Sequence, residues 1–228
     1  NGRVAREREF HNERFETDDS RSDQAKYYWA VSDGAEAYTR SYREYARDRD
    51  VLEYGCGDTK NFVTLASIAK DLKAIDISDT AIERLKSENN SDNVELLVMD
   101  AMKMTFADNS FDLVFGSGII HHLDTETSAR EVARVLRPGR KAIFWEPLGL
   151  NPVINAYRRM TPETRTPDEH PLVPKDFAIM GKYFKTVEIE YYGLSTLATV
   201  PFRNRKGAQR SFNIARKIDK VLFAMPGV

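Results

Sequence analysis

Val51-Leu52-Glu53-Tyr54-Gly55-Cys56-Gly57-Asp58-Thr59 is the stretch that decides the fold of this 228-residue chain. Its first four residues are a short β-prone run, too brief for a helix, and they stop at two closely spaced glycines that let a backbone turn tightly. Working outward, four more such runs occur at Leu72–Asp76, Val94–Val98, Phe111–Phe115 and Lys141–Trp145. Between them the period changes. Phe62, Leu65, Ala66 and Ala69 repeat at i, i+3, i+4, i+7, as do Ala129, Val132, Ala133 and Leu136, and Ser78 is placed to cap a helix carrying Ala81, Ile82 and Leu85. Strands alternating with helices predict βαβ units. The expected fold class is therefore α/β, a doubly wound and mostly parallel sheet with helices on both faces.

The flanks are less regular. Residues 1–49 are charged and aromatic and read as a cap of one or two amphipathic helices; residues 50–146 form the α/β core. Residues 147–228 complete the same domain, opening with a proline-rich loop long enough to act as a lid. A short helix near Lys175–Lys182, a strand near Thr186–Tyr191 and a terminal helix near Phe212–Phe223 are expected there.

With 41% hydrophobic and 30% charged residues and no apolar run of membrane-spanning length, the chain reads as globular, with no stable membrane insertion. One cysteine and no apolar leader at the start make a reducing, cytoplasmic setting the default expectation. The net charge of −1 argues against a nucleic-acid partner. That average conceals an asymmetry: residues 151–228 carry 13 Lys and Arg against 7 Asp and Glu, and the remainder 21 against 28.

Ligands of open α/β sheets bind beyond the carboxyl ends of the strands. After the first strand lie Gly55 and Gly57 with the acidic Glu53, suited to an ammonium group. After the second lies Asp76, whose carboxylate can accept from both hydroxyls of a ribose. After the third lie Asp100, Ala101 and Met102, able to meet an adenine edge and face. Cys56, inside the glycine turn, has no neighbour in sequence that would activate its thiol.

Taken in order, Glu53-x-Gly55-x-Gly57, Ile75-Asp76-Ile77-Ser78, Met99-Asp100-Ala101, Phe111-Asp112-Leu113-Val114, His121-His122-Leu123 and Leu136-Arg137-Pro138-Gly139 resemble the class I S-adenosylmethionine-dependent methyltransferases. The resemblance is to the small-molecule group that includes the ubiquinone and menaquinone methylases, and covers residues 50–146. It implies S-adenosylmethionine as cofactor. Glu53, Gly55 and Gly57 would hold its methionine end, Asp76 with Ile77 its ribose, and Asp100, Ala101 and Met102 its adenine, with Ser117 alongside. The chain departs from the family at Thr59, where a glycine is usual, and at Asp58, where a small residue is usual. Two other readings stay open: a catalytically silent cofactor-binding protein, and an NAD-dependent oxidoreductase. The latter meets an obstacle at Lys60, where the dinucleotide fingerprint requires its third glycine. The family usually closes its sheet with an antiparallel strand, for which the C-terminal stretch offers no convincing segment. That strand is expected to be missing here or supplied by another segment or chain.

Methyl transfer to oxygen, nitrogen or carbon needs positioning and, for most acceptors, removal of a proton. His121, His122 and Glu146 follow strands and are the candidate catalytic residues. Each also has a plain structural reading, the histidines as packing at a helix start and Glu146 as a loop cap. Tyr28, in the run Tyr27-Tyr28-Trp29, can close over the cofactor or simply pack. Tyr157, Arg158, Arg159 and His170 in the lid are candidate substrate contacts. The lid arginines favour a substrate with a negative group, against the alternatives of a solvated face or diffuse attraction to an anionic surface. Asp168, Glu169 and His170 are adjacent and lack a partner cluster in sequence, so no metal is expected.

Overall fold

The computed structural model describes residues 2–16, 25–160 and 169–225. Three helices precede the sheet, α1 (Gly2–Glu16), α2 (Ala25–Ala30) and α3 (Ser32–Ala46), where one or two were expected. Then β1 (Asp50–Tyr54), α4 (Asn61–Leu65), β2 (Asp71–Asp76), α5 (Asp79–Glu88), β3 (Val94–Val98), β4 (Phe111–Ser117), a 3₁₀ turn (Ile120–His122), α6 (Thr125–Val135) and β5 (Leu136–Trp145) build the α/β core. The strands are all parallel, in the order β3-β2-β1-β4-β5. The chain winds outward from β1 through β2 to β3, returns to the other side of β1 with β4, and ends at β5. The order reverses between β1 and β4, which puts the ligand crevice at their carboxyl ends.

Local choices agree with this topology. Val51 to Tyr54 are fully buried, as a strand covered on both faces requires. Ser78 caps α5, its hydroxyl accepting from the Ala81 N–H at 3.1 Å, and Asp124 caps α6 by accepting from Thr127 N–H at 2.8 Å. The buried stripe of α6 is Ala129, Val132 and Val135. Leu136, expected to extend that stripe, instead opens β5, because its backbone pairs with Phe111. Likewise α4 stops at Leu65, leaving Ala66 and Ala69 in the following turn.

Two of the sequence motifs meet away from the crevice. Arg137 bridges Asp112 and Asp50, each at 2.8 Å, and Arg140 joins Asp112 at 3.0 Å, all near the amino ends of β1 and β4. Burial works against the Asp50 charge, but Lys70 and Arg137 hold its carboxyl below the usual range. This network ties strand starts together.

After β5, Gly149 N–H donates to Leu172 O at 2.8 Å and Leu172 N–H to Pro147 O at 3.0 Å, closing a loop that contains α7 (Pro152–Met160). Helix α8 (Pro174–Met180) follows, beginning one residue before and ending two residues before the helix expected near Lys175–Lys182. The strand expected at Thr186–Tyr191 does not form: that segment is unpaired extended chain among the described residues, with Val187 and Ile189 exposed.

The residues group into two compact units, one of 1–18 and 40–187 and the other of 19–39 and 188–228, so the division falls within α3. The first contains the sheet. The second contains α2, a 3₁₀ segment (Thr196–Phe202) and α9 (Ala208–Phe223), the last extending further toward its start than the expected helix. Trp29 packs on Phe212 at 4.9 Å between centroids. The buried Asp219 accepts from the N–H groups of Leu194 and Ser195 at 3.1 and 2.5 Å, fixing the entry to the 3₁₀ segment.

Candidate functional site

The turn after β1 is shaped for a close backbone approach. Gly55 and Gly57 have φ of +73° and +53°, in the left-handed region that glycine adopts without penalty. A Cβ on Gly55 would lie 2.6 Å from the Ile119 side chain, so a larger residue cannot be accommodated without displacing the turn after β4. Both Gly55 and Cys56 donate their N–H to Ile75 O at 2.9 Å.

Glu53 sits beneath this turn and is 4% exposed. Its Oε1 accepts from Asn61 Nδ2 at 2.7 Å and lies 3.0 Å from the Thr59 hydroxyl. Burial pushes its carboxyl up to about 7, opposed by the Asn61 and Thr59 bonds and reinforced by the nearby Asp76 charge. The departure at Thr59 is thus built into the site. Asn61 is in turn held by the Tyr42 hydroxyl at 3.2 Å, and the Tyr42 ring stacks on Phe115 at 4.4 Å. Sequence reading missed Asn61, although its place at the first position of α4, directly after the glycine turn, was a usable signal.

Asp76 bridges two turns, accepting from Gly57 N–H at 2.7 Å and from Ser78 N–H at 2.9 Å. Asp100 makes a similar local turn, its Oδ1 accepting from Met102 N–H at 2.9 Å. Ala101 is buried, and its carbonyl accepts from the Tyr54 hydroxyl at 2.8 Å, while Met102 is half-buried. Ser117, at the end of β4, is exposed.

Helix α1 lies against the same strand ends. Arg8 Nε donates to Ile77 O at 3.1 Å, Asn12 Nδ2 to Asp79 Oδ1 at 2.6 Å, and the Ser78 hydroxyl to Asn12 Oδ1 at 2.5 Å. The Phe15 ring lies 3.3 Å from the position of a Cβ on Gly57. None of these α1 residues was singled out in sequence, since they act across a long separation and form no short motif.

The three catalytic candidates are brought together. Glu146 accepts from the N–H groups of Ile119 and Ile120, each at 2.9 Å, and lies 2.7 Å from His121 Nδ1. Its carboxylate is therefore the cap of the 3₁₀ turn and the orienting partner of His121. When the His121 Nδ1–H donates to the Glu146 carboxylate, the other ring nitrogen is left as an acceptor. His122 stacks beside His121 at 4.2 Å between centroids, and both are buried.

The lid candidates are more dispersed. His170 donates its backbone N–H to His121 O at 2.8 Å, and its ring lies 3.5 Å from the Thr125 hydroxyl. Arg158 is mostly buried with Nη2 at 3.8 Å from Glu169, and Arg159 is exposed. The Tyr157 side chain, like Arg165 and Asp168, lies outside the described residues. Tyr28 is an exposed residue of α2, in the second unit.

A family profile described as a methyltransferase domain matches residues 52–144, the span from β1 to β5. Over that span the chain is similar to a methyltransferase domain. The chain is 38% identical over 95 residues to methyltransferase GfsG of Streptomyces halstedii, covering 39% of this chain and 34% of that protein. It is 35% identical over 102 residues to O-methyltransferase rstn1 of Aspergillus nomiae, covering 42% and 45%. The chain thus spans less than half the length of these curated relatives. The fold is similar to that of the YcgJ protein from Bacillus subtilis, with a TM-score of 0.59 at 18% identity over 79% of this chain and 83% of that one. No helix among the described residues is long and apolar enough to cross a membrane.

Proposed function

We propose that this chain binds S-adenosylmethionine and methylates a small molecule, with His121 as the base that takes the acceptor's proton. The observation that carries the reading is the His121–Glu146 pair, set at the carboxyl end of β4 where Ile119 abuts the glycine turn. The residues fit the cofactor. Glu53 is a buried carboxylate suited to an ammonium group, Gly55 and Gly57 leave room for close approach, and Asp76 and Asp100 are set at consecutive strand ends to meet ribose and adenine. Ile77, Ala101, Met102 and Ser117 complete the proposed cofactor set.

When bound, S-adenosylmethionine supplies a methyl group on a positively charged sulfur. Glu53 anchors the ammonium end, and its charged form is favoured by that cation. Glu146 fixes the His121 ring with the Nδ1 proton toward itself, leaving the far nitrogen to receive the proton of a hydroxyl or protonated amine as the acceptor attacks. The likeness to an O-methyltransferase favours a hydroxyl acceptor. Arg158, mostly withdrawn from solvent on the lid, suits an acceptor that also bears a carboxylate or phosphate; Arg159 and His170 are secondary substrate contacts.

The test is incubation with S-adenosylmethionine and fractionated hydroxylated acids, reading methyl gain by mass and cofactor binding by calorimetry. Turnover supports the reading. Tight binding with no turnover on any fraction would instead identify a silent binder, and preferential NAD binding an oxidoreductase.

A further inference from the structure

Three imidazoles gather at one end of the crevice, and only one of them is explained by the proposed chemistry. His11, on α1, and His122, on the turn after β4, face Glu7, which lies one helical turn before His11 on the same face. Glu7 Oε2 is 3.3 Å from His122 Nδ1 and 3.6 Å from His11 Nε2, and one ligand atom from each of the three lies within 4.8 Å of the others. The His11 and His122 rings approach to 5.4 Å between centroids.

The His122 nitrogen is the informative atom. It is buried, it faces a carboxylate oxygen, and it has no hydrogen-bond partner among the described residues. A buried ring nitrogen with no hydrogen bond is costly, so a native site normally supplies it with a partner. A metal ion is such a partner. Tetrahedral zinc, with bonds of about 2.0–2.2 Å to nitrogen and oxygen, holds its ligand atoms roughly 3.3–3.6 Å apart. Glu7 stands at those separations from both histidines.

We infer that Glu7, His11 and His122 bind a divalent cation of the zinc class, which pins α1 to the turn that follows β4. Two imidazoles and one carboxylate are the donor set of borderline divalent ions, poorly matched to the all-oxygen preference of magnesium or calcium. A fourth position remains for water. The surrounding groups favour this set over its neighbour. His121, His122 and Glu169 also cluster, but His121 is committed to Glu146 and Glu169 lies beside Arg158. Arg3, also on α1, is engaged with the His122 carbonyl. The ligands come from segments far apart in sequence, so no spacing motif announces them.

The untagged full chain, stripped with a chelator, should bind one equivalent of Zn²⁺ in calorimetry, and Co²⁺ should give the intense visible bands of a four- or five-coordinate site. His11→Ala and His122→Ala should each weaken binding at least ~10-fold, since even an outer-shell partner is worth that much. His170→Ala should not. Zinc should also slow amide exchange along α1. Absence of stoichiometric binding, or wild-type affinity in both histidine variants, would overturn the site. Should those variants fail to fold, the wild-type Co²⁺ spectrum decides: only the weak bands of a six-coordinate ion would overturn it. Cofactor binding, measured separately without metal, keeps this test distinct from that of methyl transfer.

Discussion

Gly57 donates its backbone N–H to the Asp76 carboxylate across 2.7 Å, so the residue expected to hold a ribose also holds the turn expected to hold the methionine end. Asp76, proposed to face the ligand, is therefore also a clamp between the ends of β1 and β2. The other oxygen takes the Ser78 N–H, which places the start of α5.

Asp76→Ala should cut affinity for S-adenosylhomocysteine by more than one ribose bond alone, because it also frees the turn at Gly57. A hydrogen bond to a charged group contributes about 1.5–3 kcal/mol, so the loss is at least ~10-fold. Calorimetry on a variant shown to be folded by circular dichroism checks this; unchanged affinity would remove Asp76 from the site.

Glu53 sets a pH dependence with a definite sign. Its carboxyl is raised from 4.5 to about 7 on folding. Between those values the unfolded chain has lost the proton while the folded chain keeps it. Stability should therefore fall as pH rises from about 4.5 to about 7, and level off above. Glu53→Gln should flatten that slope in denaturant titrations. Binding an ammonium group favours the charged form, so cofactor binding at pH 6 should release a proton, visible as heats that vary with buffer ionisation.

His121→Ala should lower kcat by roughly 10²–10⁴ at unchanged cofactor affinity, the usual reach of general-base catalysis. Glu146→Gln should do two things, lowering kcat through the misoriented ring and costing about 1–3 kcal/mol of stability through the disrupted cap. A Glu146→Gln enzyme with normal kcat would deny His121 its role.

Arg158→Ala should raise KM for a negatively charged acceptor ~10-fold or more, and Arg159→Ala should have little effect, because only Arg158 is withdrawn from solvent. Equal small effects that fade together with added salt would indicate a diffuse field instead of a discrete contact.

The strands were legible in the sequence because each is a short apolar run at a strand–helix repeat, and the glycine turn because only two glycines satisfy its backbone. Thr186–Tyr191 misled for the same reason. Val187 and Ile189 have strand propensity, but pairing depends on a neighbour, and none lies beside them among the described residues. Glu146 could be read as base or cap from sequence, and that three N–H groups converge on it is visible only in the folded chain. The α1 contacts were illegible altogether, being single polar pairings between residues remote in the chain.

Those contacts bear on timing. Arg8, Asn12 and Phe15 rest on Ile77, Ser78 and Gly57, the surfaces proposed to receive the cofactor. On the proposed reading, each catalytic cycle should include a separation of α1 from the sheet, a motion on the slower scale of elements rather than of bonds. Pre-steady-state mixing should show one rapid turnover per chain followed by a slower steady rate, and shortening the chain to remove α1 should abolish the burst while weakening retention of the cofactor.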